Sequence, residues 1–219
     1  MSQESVKYRS TANLNIRKAP TASSNALGRL NVDDVIEMLG ESEDGKWIKF
    51  LYNGVEAWSS KKYLKKVPYI PPLGEDFPWM KYAEEQKGVS QIDGSEHNPQ
   101  VLEYLRTTTL NKRAAAEDET SWCSAFVNWC LDQAGYERTK SALARSWLNW
   151  GQGIEIPRRG CIVVFKREKI FGHVGFFLEE TETHVKILGG NQTNPETGKS
   201  EVCEKFFPKA DLLGYRIPK

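Results

Sequence analysis

The sequence predicts two domains of different class: a small closed all-β barrel, then an α+β domain with helices packed on an antiparallel sheet. Three observations carry this reading. Residues 1–67 are short alternating segments parted by turn formers, residues 68–78 hold four prolines, and residues 79–219 run helix-like at first and strand-like afterwards. A chain of 219 residues has room for two modest cores.

In the first segment LNIRKAP (14–20) alternates until Pro20, and GRLNVDD, VIEMLGE, KWIKFLY and VEAWSS follow with the same period of two. Turn formers separate them at Asp33-Asp34, Asp44-Gly45 and Asn53-Gly54, the last a strong type I′ hairpin signal. Five short strands in roughly 60 residues cannot cover both faces of a wide sheet, so they close on themselves. The ordered set LNIRKAP, GRL, VIEMLGE, KWIKF and NGVEAWSSKKYL resembles the bacterial SH3-like domain of cell-wall hydrolases. That resemblance implies binding to peptidoglycan peptides, with Tyr8, Trp47, Tyr52 and Trp58 as candidate groove aromatics. Core or rim packing is the alternative for Trp47 and Trp58.

Residues 68–78 show no periodic pattern, and their prolines predict an extended, semi-stiff linker. Beyond it, PWMKYAEEQKG (78–88) has proline at the start of a helix and glycine past its end. NPQVLEYLRTT (98–108) starts with Asn98 as a cap and Pro99 at the first helical position. Two more helices are expected, TSWCSAFVNWCLDQAG (120–135), with Thr120 or Ser121 as cap, and SALARSWLNWG (141–151). Strand-like runs follow: CIVVF, HVGFFLEE, HVKILGG, EVCEKFF and LLGYRI. Helices first and a strand meander after make an α+β domain.

Cys123 falls in the first turn of the third helix, where free N–H groups and the dipole favour an anion. A thiol so placed can ionise at roughly pH 3.5–7.5. Cys130 lies two turns further in and reads as an inert core thiol; Cys123 itself has core packing as its bland alternative. A cysteine nucleophile needs a histidine. His97 and His184 sit in polar segments and read as exposed, whereas His173 opens the strand HVGFF between glycines 172 and 175, which permit close approach. Loop tethering is the alternative for His173. If HVGFF and HVKILGGNQ pair antiparallel, Asn191 lies beside His173 and orients its ring; an ordinary turn is the other reading of GGNQT.

WCSAFVNWC, GCIVVF, GHVGFF and a strand ending GGNQ resemble the NlpC-like and CHAP peptidoglycan hydrolases of the papain-like superfamily, over about residues 77–218. The resemblance implies Cys123 as nucleophile, His173 as base and Asn191 as orienting residue, with Gln192 as a possible substitute, and cleavage of an amide in wall peptide. The chain departs from the family at Cys161, where these proteins usually carry an acid. Ser124, Trp122 and Gln192 are candidate substrate contacts; Trp147 and Trp150 are candidate cleft walls with core packing as the alternative. No metal or other cofactor is required by this chemistry.

Thirty basic against 29 acidic residues, net +1, argue against a nucleic-acid surface. No run of 18 apolar residues marks a membrane span, and MSQESVKYRS is no secretory signal. The expectation is a monomer made in the cytoplasm, with four reduced cysteines, that acts on the cell wall after phage lysin-like release, effector secretion or non-classical export. The rival readings are an inactive wall- or peptide-binding protein and a cysteine peptidase or acyltransferase acting on proteins.

Overall fold

The computed structural model describes residues 6–92, 94 and 96–219. It divides into two compact units, Met1–Tyr69 and Ile70–Lys219.

The first unit is built of strands β1 (Lys7–Ser10), β2 (Leu14–Arg17), β3 (Ala26–Leu30), β4 (Val35–Glu37), β5 (Gly40–Glu41), β6 (Trp47–Tyr52), β7 (Val55–Ser60) and β8 (Leu64–Lys66). They form two antiparallel sheets, ordered β4-β1-β8 and β3-β2-β7-β6-β5. Alternation fills the space between them: Ile48 and Phe50 of β6 point inward to meet Leu14, Ile16, Leu30, Ile36, Ala57 and Leu64. Asn53 (φ 50°) and Gly54 (φ 79°) both take the left-handed conformation that a type I′ turn demands between β6 and β7.

Tyr8 belongs to this core at 8% exposure, which removes it from the candidate groove aromatics. Its neighbours Ser10 and Leu64 are buried with it, because β1 is the central strand of its sheet. Trp47, Tyr52 and Trp58 are half-buried, and Lys49 Nζ lies 5.4 Å from the centre of the Trp58 ring. Tyr52 lies against Gly28 so closely that a Cβ there would meet its hydroxyl at 2.4 Å.

The second unit starts at Ile70, which packs against its core. Arg158 donates to the carbonyls of Pro71 and Pro72, and buried Phe77 stacks on Trp79 at 4.6 Å. Three helices follow, α1 (Trp79–Glu85), α2 (Pro99–Arg106) and α3 (Cys123–Gln133). Asn98 caps α2 by accepting from the Gln100 N–H at 2.9 Å, with Pro99 in the first turn. Helix α3 ends in paired bonds, Tyr136 N–H to Leu131 C=O and Gly135 N–H to Asp132 C=O, around Gly135 at φ 73°.

Two expectations about helix ends give way here. Trp122, not Thr120 or Ser121, is the N-cap of α3 and offers no capping side chain. Thr120 donates to Ala114 C=O and Ser121 to Asn191 Oδ1 instead. The segment 141–151 is a short 3-10 run, Ala144–Asn149. The Ser141 carbonyl that an α-helix would use in its first turn is taken by the Ser124 hydroxyl and the Asn128 amide.

Strands β9 (Gln152–Ile154), β10 (Ile162–Lys166), β11 (Gly172–Glu180), β12 (His184–Thr193), β13 (Ser200–Pro208) and β14 (Leu212–Ile217) form one antiparallel sheet, ordered β13-β12-β11-β10-β14-β9. Helix α3 lies across β11 and β12, with Phe126 edge-on to Phe176 at 6.0 Å. Its first turn comes closest at Gly190, where a Cβ would meet Trp122 at 2.3 Å and the Phe126 Cβ at 2.8 Å. Gly190→Ala is therefore expected to cost about 1–3 kcal/mol through overpacking against the buried Trp122 and Phe126 side chains. A shift of the denaturant midpoint measures it, and an unchanged midpoint would mean that helix and strand can part without loss.

Candidate active site

Cys123 opens α3 and His173 enters β11 after Gly172, so the residues expected to act together come from adjoining elements. The Cys123 thiol faces the backbone N–H of Val174, the residue beside His173, together with the Ser124 N–H and the Ser121 hydroxyl. Cys123 is 3% exposed and His173 fully buried. Phe207 of β13 covers the imidazole face, with ring centres 4.9 Å apart and planes 21° from parallel. Phe165 backs Phe207 at 5.0 Å.

The amide on His173 belongs to Gln192, not to Asn191. Gln192 Oε1 lies 2.9 Å from His173 Nε2, and its Nε2 donates to the Cys203 carbonyl at 2.5 Å. With the amide so oriented, His173 Nε2 must carry the ring proton and Nδ1 the lone pair. Regular pairing of β11 with β12 would bring residue 191 opposite 173. A bulge between Gly189 and Gln192 inserts one extra residue, with Asn191 at φ 55°. One residue of slip swaps the faces of a strand, so Gln192 takes the inward place. Asn191 instead donates to Ser200 Oγ at 2.8 Å.

The substrate-contact expectations are also redirected. Ser124 is fully buried, donating to Ser141 C=O at 2.7 Å and accepting from the Trp147 indole at 2.9 Å. Trp122 is fully buried against Tyr104, with ring centres 5.8 Å apart, and Trp147 is core. Both are buried away from solvent. Trp150 is half-buried, its indole donating to Glu137 C=O. Gln192 serves the histidine. The open cleft, about 760 Å³, is lined by Ser121, Lys166, Arg167, Glu168, Phe171, Gly172 and Asp211.

His97 and His184 are half-buried rather than exposed. His97 Nδ1 is 3.1 Å from Asp118 Oδ1, the buried carboxylate that also accepts from the Ile92 and Asn98 N–H groups; His184 Nδ1 meets Thr183 Oγ1 at 2.9 Å. Arg167 is the site residue that sequence reasoning missed. In FKREKIFG it reads as one more charge on a polar loop, yet its Nη2 donates to His173 Nδ1 at 3.2 Å.

Electrostatics at the site oppose the simple expectation of an acidic thiol. Burial pushes the Cys123 thiol up, and it outweighs the Arg167 cation, the Val174 and Ser124 N–H groups and the Ser121 hydroxyl, which all pull it down. Burial and then Arg167 hold His173 down to about 3, with Lys205 adding to them and Gln192 opposing. Burial thus favours the uncharged form of both the thiol and the imidazole. Burial likewise lifts Cys161 to about 12 and Cys130 well above its ordinary value, as suits core thiols.

His173 makes stability depend on pH. Its folded value lies below the unfolded value of about 6.5, so its contribution is complete above pH 6.5 and is lost as pH falls towards 3. Wild type is expected to lose up to about 2 kcal/mol more than His173→Gln between pH 7 and pH 4.5, read from denaturant midpoints. Equal losses in both chains would mean that the imidazole charges in the folded state.

The family model for the bacterial SH3 domain matches residues 12–65, and the CHAP domain model matches residues 115–191, spanning Cys123 and His173 and ending one residue before Gln192. Similar solved structures include NlpC1 from Trichomonas vaginalis, 12% identical with TM-score 0.36, covering 97% of this chain and 69% of that one. NlpC2 from the same organism is 12% identical with TM-score 0.35, covering 98% and 73%. An NlpC/P60 family protein from Bacillus cereus is 11% identical with TM-score 0.39, covering 97% of this chain and 63% of that one, so this chain spans less than two thirds of its length. No curated protein matches. Along the chain, a segment matching the bacterial SH3 domain is thus followed by one matching the CHAP domain.

Proposed function

We propose that this chain is a cysteine-dependent peptidoglycan hydrolase, an endopeptidase or amidase, that cleaves an amide bond of wall peptide. The observation that carries the reading is the thiol at the first turn of α3, set against β11 where His173 is held by Gln192. Acyl transfer to water follows from that arrangement. Cys123 gives its proton to His173 Nδ1, and its sulfur attacks the carbonyl carbon. His173 then protonates the leaving amine, and a water molecule, deprotonated by the same nitrogen, hydrolyses the thioester.

Gln192 is a positioning residue in this scheme: it fixes the tautomer that leaves Nδ1 basic and faces the imidazolium with a carbonyl dipole. The N–H groups at the start of α3 lack intrahelical partners and supply donors for the oxyanion. One such donor is typically worth about 2.7–4 kcal/mol of transition-state stabilisation. The SH3 domain serves as anchor, with half-exposed Trp47 and Trp58 as its wall-facing aromatics. Tethering a weak wall binder to the hydrolase raises the local concentration of enzyme on an insoluble substrate.

Turbidity loss of purified peptidoglycan tests the reading, with mass spectrometry of released fragments to name the bond from its new amine termini. Cys123→Ala is expected to abolish clearing, and Gln192→Ala to slow it at least about 10-fold by releasing the tautomer. Asn191→Gly, which keeps the left-handed backbone at the bulge, is expected to stay within about threefold of wild type. Intact walls of several chemotypes after wild-type treatment would sink the hydrolase assignment.

A further inference from the structure

The Arg167 guanidinium engages the lone pair that the proposed reaction needs free. His173 has two ring nitrogens, and both are spoken for: Nε2 by Gln192 Oε1 and Nδ1 by Arg167 Nη2. A guanidinium donates only and is always charged, so it cannot pass a proton on. While it stays, Cys123 has no base. The side chain must move before chemistry begins.

Three features fit it to move towards an anion. Arg167 is exposed and lines the open cleft beside Ser121 and Phe171, so its side chain has room to swing. Its backbone is pinned: Arg167 N–H donates to Phe171 C=O at 3.0 Å, and Arg145 donates to the carbonyls of both Phe171 and Arg167. Its charge is not matched by an acid, for among the described residues no carboxylate pairs with Arg167, whereas neighbouring Lys166 has Asp211 at 3.6 Å. A guanidinium fork binds a carboxylate through two parallel charge-assisted bonds, against one bond to a neutral ring nitrogen.

Resting on the hydrolase reading, we propose that Arg167 is the receptor for a free carboxylate on the acyl donor, and that binding this carboxylate draws Arg167 off His173 Nδ1 and so frees the base. The substrate class is a peptide with a free carboxylate next to the scissile amide, preferred over the same peptide with a carboxamide there. In the coupled step the Cys123 proton passes to Nδ1 and the guanidinium charge is met by the substrate anion. The titratable and charged groups around the imidazole are Arg167 after β10, Lys205 of β13 and the Cys123 thiol of α3, with Cys203 behind Gln192.

Two alkylating reagents that differ only in this group test the idea on the full chain. Iodoacetate carries a carboxylate and iodoacetamide does not; with either, a sulfur–carbon bond forms at Cys123 and iodide leaves. Peptide mapping follows the rate at Cys123 in wild type and Arg167→Gln, with glutathione as the reference thiol. Relative to glutathione, wild type is expected to favour iodoacetate by roughly 10-fold or more, and Arg167→Gln to lose that preference. Near pH 6 the same variant is expected to react about fivefold faster with iodoacetamide, because Nδ1 is free to take the thiol proton. A merely structural arginine would not move the two reagents in opposite directions. An unchanged reagent ratio in Arg167→Gln overturns the carboxylate receptor, and a slower iodoacetamide reaction overturns the coupling to the base; both leave the hydrolase reading standing. Cys123 inert to both reagents in both chains would overturn the nucleophile itself.

Discussion

The second unit depends on one close approach, the first turn of α3 against the bulge in β12. Gly190 has no side chain, and Trp122 and Phe126 occupy the space a Cβ would need. The bulge that bends the strand there also advances its phase by one residue. That local irregularity turns Gln192 towards His173. It also accounts for a helix that starts without a capping side chain: tertiary packing of Trp122, Phe126 and Val127 holds the end that a serine or threonine would otherwise secure.

What the sequence made legible were the features carried by short-range patterning. Asn53-Gly54 specifies its hairpin by the φ values it tolerates, Asn98-Pro99 specifies a helix start, and Gly135 specifies a helix stop. The period-two runs after residue 160 became the strands of one sheet, with Cys123 at the start of α3 and His173 near the start of β11. Strict alternation points Asn191 inward, and nothing in GGNQ distinguishes the bulge that turns Gln192 inward from a regular strand end. Ser124 and Trp122 look like cleft residues beside the nucleophile, yet tertiary packing buries Ser124 against Ser141 and Trp147 and Trp122 against Gly190. The ionisation of Cys123 escapes the sequence for a related reason. A helix N-terminus is readable in sequence, whereas depth of burial is not, and burial is the larger influence on this thiol.

That electrostatic balance shapes how the site can work. Desolvation raises the thiol and lowers the imidazole, so each charge alone is disfavoured. Moving the proton from sulfur to nitrogen creates both charges together, and their attraction in a dry setting offsets much of the cost that either would meet alone. The two ionisations are then properties of the pair. Phe207 on the imidazole face and Phe165 behind it keep water from taking over that attraction. Arg167 breaks the symmetry: its charge favours the thiolate but opposes the imidazolium, and its donor blocks the nitrogen that must receive the proton. A substrate anion that neutralises the guanidinium removes the opposition and the block in one movement. On the proposed reading, the cation that occupies His173 Nδ1 is also the one that receives the substrate carboxylate, so a buried thiol is reserved for ligands of the right charge.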